Sequence, residues 1–329
     1  MSDVVETLVR RIATTGVGTS DAINPFWRGQ LQRLDSVFKD GVEVTAQRIQ
    51  HALGYNQVRL PKGVASNRDL PHWPEVLEAA RTGDVRGMGK AVEHVASLNF
   101  LIREGALDEY LALADDLGVV SDIGLIRLYW YARRLAKVLK DTGRLERMTF
   151  LEVGSGSGRF ATLMERRGLV GHYVMVDLPE MLLNAMLMAD TIAGAELHFG
   201  EAPDFQRPGL VFWFLDTNDI ALVPEKSVDV AVNFNSFMEM DGEVRDFYIS
   251  EIYRAAKPGA IFYNVNRRQA AMTRRDGGRF DNNPLLYPYQ AFDKIIEWVA
   301  DDLQQCTRSR KFEAPSSFCI SRISVVGPS

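Results

Sequence analysis

The sequence predicts an α/β protein with a doubly wound, mainly parallel sheet behind a helical N-terminal region. Three observations carry that expectation. From Arg147 onward, short β-rich runs alternate with amphipathic segments, the pattern of a sheet with helices on both faces. Before Gly143, apolar residues recur at three- and four-residue intervals, as from Val92 to Leu117, and strand-like runs are nearly absent. Leu151 to Phe160 reads LEVGSGSGRF, with glycine at 154, 156 and 158 directly after an apolar run, so a ligand can approach bare backbone there. The expected division is a helical domain over 1–143, covering an acceptor and forming a subunit interface, and a ligand-binding domain over 144–329.

The elements follow in order. Gly54 to Pro74 is rich in Pro, Gly and Asn and reads as a long irregular connection, with Pro74 opening the helix PEVLEAARTG. MTFLEV, HYVMVD, VFWFL, SVDVAVNF, AIFYNVN and FCISRISVV are the strand candidates. GRFATLMERRG, PEMLLNAMLMADTIAG and EVRDFYISEIYRAAKPG are the helices between them, the last stopped by Pro258 and Gly259. In SDIGLIRLYWYARRLAKVL, Tyr129, Trp130 and Tyr131 cannot share one helical face, so at least one should turn towards a ligand or a neighbouring subunit.

Composition narrows the partners. The 329 residues are 46% hydrophobic, enough for a large core, and a net charge of −5 provides no basic field for nucleic acid. Cys306 and Cys319 suit neither a disulfide framework nor a zinc site. No apolar run approaches the ~20 residues of a membrane span, and the N-terminus lacks the apolar core of a signal peptide. A cytoplasmic protein is expected.

The spacing at 154, 156 and 158 departs from the dinucleotide pattern, because position 159 is Arg. Glu152, at the end of the preceding strand, would repel a pyrophosphate and suits an amine. Asp177 ends the next strand, where a carboxylate accepts from ribose hydroxyls. The loop backbone with Ser155, and Leu178 beside Asp177, complete that cradle. Asp219 lies ahead of the fourth strand, placed to accept from an adenine amine while the Ile220 backbone amide serves a ring nitrogen; Asp216 competes for the first role. Asn235 is expected to shape the same pocket. An amine at one end and an adenosine at the other describe S-adenosyl-L-methionine.

LEVGSGSG, VMVD, NDIALVP ahead of SVDVAVN, and AAKPGAIFYN together resemble the ordered motifs of class I S-adenosylmethionine-dependent methyltransferases, with their Rossmann-like sheet. VDLPEMLLNAMLMA, NSFMEMDGEVRDFYISEI and FYNVNR further resemble a bacterial family described as sugar O-methyltransferases, over roughly residues 121–268. That resemblance implies a methyltransferase acting on a hydroxyl of a sugar, nucleotide sugar or glycosylated metabolite. Transfer to nitrogen, carbon or carboxylate of a natural product, and cofactor binding without catalysis, are the alternatives.

A hydroxyl acceptor needs its proton removed. Glu239 is the candidate base, with Asp241 nearby; a capping or ion-pair role for Glu239 is the alternative. Asn266 and Arg267 are candidate acceptor contacts, joined by Asn264 and Arg268, the guanidinium suiting phosphate or carboxylate. Arg127 or a nearby Tyr is a candidate for the methionine carboxylate. His72 is a rival base. The five histidines form no metal-spaced pair, so no metal is expected. NNPLLYPY, from Asn282 to Tyr289, reads as a turn or an acceptor-facing loop. A homodimer is the expected assembly.

Overall fold

The computed structural model describes residues 2–15, 62–268, 270–273, 279–307 and 318–327, with single positions at 31, 34, 37, 38, 48 and 60. Residues 51–59 and 61, within and just before the expected irregular connection, lie outside the described residues, as do 274–278. The helical region supplies α1 (Asp3–Thr15), α2 (Trp73–Thr82), α3 (Val92–Arg103), α4 (Leu107–Asp116) and α5 (Ile123–Asp141). Pro74 sits in the first turn of α2 and Gly83 closes it in the left-handed conformation. Asp122 caps α5, accepting from the Leu125 N–H at 2.7 Å.

Strand and helix then alternate: β1 (Met148–Val153), α6 (Arg159–Glu165), β2 (Val170–Asp177), α7 (Pro179–Ala189), β3 (Ala195–Phe199), β4 (Leu210–Asp216), β5 (Val228–Phe234), α8 (Gly242–Ala255) and β6 (Ala256–Arg267). A short antiparallel pair, β7 (Ala270–Thr273) with β8 (Arg279–Asn282), stands apart. β9 (Lys294–Ala300), α9 (Asp302–Thr307) and β10 (Cys319–Val325) follow.

The main sheet runs β3-β4-β2-β1-β5-β6-β10-β9. All pairings from β3 to β6 are parallel, and β10 joins β6 and β9 antiparallel. The expected doubly wound α/β fold is present. Strand order reverses between β1 and β5, which opens a crevice at their carboxyl ends, where both connecting helices leave in opposite directions.

β3, β9 and the β7–β8 pair are not among the sequence-derived strands. β3 is a short, half-exposed edge strand with Glu196 and His198 interrupting its apolar residues. β9 is largely exposed. Neither shows the buried alternation from which a strand is read.

The sheet buries two cores. One face carries Phe150, Tyr173, Phe212, Val232 and Tyr263, and it shares a single continuous apolar cluster with α1–α7. The other face packs Leu151, Val174, Trp213 and Phe262 against Ile249 and Ile252 of α8. Tyr129, Trp130 and Tyr131 are all buried within the chain, so none of the three is left exposed for a neighbouring subunit, the second of the two directions expected. Tyr129 donates to the Ala106 carbonyl at 3.1 Å, Trp130 donates to Asp302 at 3.1 Å, and Tyr131 accepts from Gln304 at 2.8 Å. The three rings pack inward, while the polar side of α5 carries Lys137, Lys140 and Asp141 at the surface.

Gly158 has φ +70°, and a Cβ built on it would lie 2.9 Å from the Ala185 Cα of α7. Gly158→Ala should therefore cost about 2–4 kcal/mol through overpacking and backbone strain. A urea titration of the variant measures this, and an unchanged midpoint would refute the close approach.

Candidate active site

The glycine loop sits at the reversal of strand order, between the ends of β1 and β5. Its first glycine is shaped by a side chain. Gly154 has φ +77°, and a Cβ there would fall 2.0 Å from the Ser236 Oγ. Ser236 uses that space to donate to the Val153 carbonyl at 3.1 Å. Gly156, at φ +53°, points its N–H at the Asp177 Oδ2, 2.7 Å away, while the Leu178 N–H reaches the Asp177 Oδ1 at 2.8 Å. Each carboxylate oxygen keeps acceptor capacity after one such bond. The loop is thus fastened to the end of β2 with acceptor capacity to spare.

Glu152 is 2% exposed and accepts from the Tyr173 hydroxyl at 2.8 Å. Burial pushes its carboxyl up to about 8, the Tyr173 bond opposing and the Asp177 charge adding to the shift. Burial likewise raises Asp177 to about 6, against the two N–H bonds it accepts. Two carboxyls held above their ordinary range at the base of a glycine loop form a site that gains most from a cation or a hydroxyl donor. Ser155 lies between them in sequence, with its Oγ buried and lacking a hydrogen-bond partner.

At the end of β4, Asp216 is committed to the protein: its Oδ1 accepts from the Thr217 N–H at 2.6 Å and hydroxyl at 2.9 Å, and its Oδ2 pairs with Arg11 of α1 at 2.9 Å. Asp219 is partly buried, and burial together with the neighbouring Asp216 charge raises its carboxyl. Between the two rivals, Asp219 has the less occupied carboxylate. It starts the short turn Ile220–Leu222, whose first residue is buried and whose Ile220 carbonyl accepts from Arg254 at 3.2 Å.

Beyond β5 the chain is held by asparagines. Asn235 takes φ +62°, a left-handed backbone uncommon outside glycine, and its N–H donates to the Val265 carbonyl at 2.8 Å. Asn233 donates to the Val153 carbonyl at 2.8 Å and to Ser236, while its oxygen accepts from Asn266 at 2.8 Å. Asn266 also donates to Asn264 at 2.8 Å and accepts from the Met238 N–H at 3.0 Å. Asn282 donates to the Phe237 carbonyl at 2.5 Å. These bonds hold the turn Phe237–Glu239, so the partly buried Glu239 stands on a fixed backbone at the end of β5.

The sequence-derived residues fall into three positions. Glu152, Gly154, Ser155, Gly156, Gly158, Asp177 and Leu178 meet around the glycine loop. Asp219 and Ile220 flank it beyond β4, and Asn235 and Glu239 flank it beyond β5. Asn266 is fully buried with its amide in use, so it supports the Glu239 turn and does not reach the crevice surface. Arg267 and Arg268 are exposed at the end of β6. Arg127 is on α5 with its Nε buried and unpartnered. His72 is exposed at the start of α2. The role of Asn282 in holding the turn had no local signal, because its partners are 45 residues away in the chain. Among the described residues there is no cluster suited to a metal ion.

Residues 151–264 match the family model of a methyltransferase domain. The cofactor is S-adenosyl-L-methionine. No curated protein matches the chain. Solved structures similar to it include an S-adenosylmethionine-dependent methyltransferase from Mesorhizobium loti, at 15% identity over 57% of this chain and 96% of that one, with TM-score 0.36. Magnesium protoporphyrin IX methyltransferase from Synechocystis shares 11% identity over 61% and 80%, with TM-score 0.40. The cyclase SpnF shares 17% over 60% and 82%, with TM-score 0.39. Among the described residues, no helix is long and apolar enough to cross a membrane.

Because Glu152 and Asp177 titrate higher in the folded protein than in an unfolded chain, folding favours their protonated forms. That stability is complete below the ordinary carboxylate range and is lost as pH rises through about 6 and about 8. Glu152→Gln should flatten the upper part of this decline in the cofactor-free protein. Guanidinium unfolding at pH 5, 7 and 9 measures it, and a parallel decline in wild type and variant would remove Glu152 from the account.

Proposed function

We propose that the protein transfers a methyl group from S-adenosyl-L-methionine to a hydroxyl of a sugar or glycosylated metabolite, with Glu239 as the base. What supports this reading is the asparagine-held turn that fixes the Glu239 backbone just past the end of β5, next to the crevice. Bound S-adenosyl-L-methionine supplies an electrophilic methyl group. An alcohol is a weak nucleophile towards it, so the chain must hold the hydroxyl in line and take its proton.

In this reading Glu152 and the loop from Gly154 to Gly158, with Ser155, hold the methionine end. The buried Glu152 carboxyl ionises as the ammonium arrives, since an adjacent cation offsets the desolvation that keeps it protonated. Asp177 accepts from the ribose hydroxyls with the acceptor capacity its two N–H bonds leave, and Leu178 borders the same group. Asp219 and the Ile220 amide take the adenine edge. Asn235 shapes the floor beneath them. Glu239 accepts the hydroxyl proton, and the rigid turn limits the displacement that would spoil that transfer. Arg267, exposed at the end of β6, is the group for a phosphate or carboxylate on the acceptor.

Asp177→Ala should weaken cofactor affinity at least about tenfold through loss of charge-assisted ribose contacts; near-normal affinity by calorimetry would reject the ribose assignment. Glu239→Gln should lower turnover about 100-fold or more while leaving cofactor affinity within about twofold. Equal turnover in the variant would exclude it as base. The reading as a whole is tested by S-adenosylhomocysteine release from pools of nucleotide sugars and glycosylated metabolites. Release with amine or carboxylate acceptors alone would replace it.

A further inference from the structure

Helix α7 begins two residues after Asp177 and is apolar along nearly all of its length, MLLNAMLMA following Pro179 and Glu180. Ten of its eleven residues are buried. Asn184 interrupts that run. It has no solvent exposure, and neither its Nδ2 nor its Oδ1 has a hydrogen-bond partner. A leucine or methionine there would pack without the penalty of two unpaired polar groups, so the amide has no structural justification within the closed helix. Glu180 lies one turn earlier, on the same face, and is 3% exposed. Its charge bears on Asp177, which places this polar pair next to the residue proposed for the ribose.

We propose that Asn184 and Glu180 form a subsite for the vicinal hydroxyls of a polyhydroxylated acceptor, resting on the sugar-hydroxyl reading above. A primary amide offers a donor and an acceptor side by side, and a carboxylate accepts from a hydroxyl; together they match a diol, which donates and accepts from adjacent carbons. The neighbouring Met181, Leu183 and Leu187 provide apolar surface for the C–H face of a ring. The pair is fully enclosed, so a ligand enters when the layer over α7 moves. α1 is one of the elements packed against α7, and it is tied to the sheet by Arg11 and Asp216.

The test uses the full chain saturated with S-adenosylhomocysteine, and D-glucose, L-rhamnose and myo-inositol as probes in saturation-transfer NMR. Wild type should bind at least one probe, and Asn184→Leu should weaken that binding at least tenfold while keeping cofactor affinity and unfolding at a higher temperature. If the leucine variant does not fold, Asn184→Asp, which keeps the volume and removes the donor, must show the same loss. No saturation transfer to any of the three, or equal binding by wild type and variant, overturns the subsite. Release of S-adenosylhomocysteine with a nucleotide sugar by a variant that binds as wild type overturns the subsite and leaves the function standing. Probe binding through Asn184 with no release from any hydroxylated acceptor overturns the function and leaves the subsite standing.

Discussion

The site depends on the Asn233 amide. Its two hydrogens go to the Val153 carbonyl and to Ser236, and its oxygen accepts from Asn266. That one side chain joins the end of β1 to the turn after β5 where the two strands part, the only place in a parallel sheet where a cleft opens without breaking a ladder. Ser236 can enter because Gly154 has no Cβ. The glycine loop and the Glu239 turn are therefore parts of one hydrogen-bonded body and cannot drift independently. A buried polar network with every member paired rigidifies its surroundings, whereas one with a member missing does the reverse.

Charge is handled differently on the two sides of that body. On the β1–β2 side, burial raises both carboxyls, Glu152 to about 8 with one hydroxyl bond and Asp177 to about 6 against two N–H bonds. On the β4 side, Asp216 has Arg11 and the Thr217 groups, so its charge is already balanced. The contrast is between carboxyls raised by burial and a carboxylate already balanced by the protein, and it is the first kind that a cation or hydroxyl donor would stabilise most.

Much of this was legible in the sequence. The strand ends carrying Glu152, Asp177 and Asn235 are visible because a buried parallel strand is a continuous apolar run and the residue that breaks it stands at the crevice. The glycine positions are visible because no other residue takes those backbone angles cheaply. Asn266 was misjudged as an acceptor contact for the same reason it was noticed: a polar residue at a strand end looks ligand-facing until its partners at 233, 264 and 238 are known. Those contacts are tertiary, as is the bond from Asn282 to Phe237, and nothing local encodes them. β9 went unread because, being exposed, it lacks the burial that imprints a pattern on a strand. The aromatic trio in α5 is buried because the strand ends and the helix after β9 wrap the inner half of that helix, contacts as tertiary as the asparagine bonds.

One feature of the core bears on portability. Phe150, Tyr173, Phe212 and Tyr263 lie in the same apolar cluster as the helices before β1. An excision of 151–264 would keep α6 and α7 on that face of the sheet but strip away the layer from α1–α5 that completes its cover. Grafting this crevice onto another scaffold would thus require moving α5 and its neighbours with it. Drift in the N-terminal helices is in turn constrained by the packing of a sheet they do not belong to, so the two halves must change sequence in step.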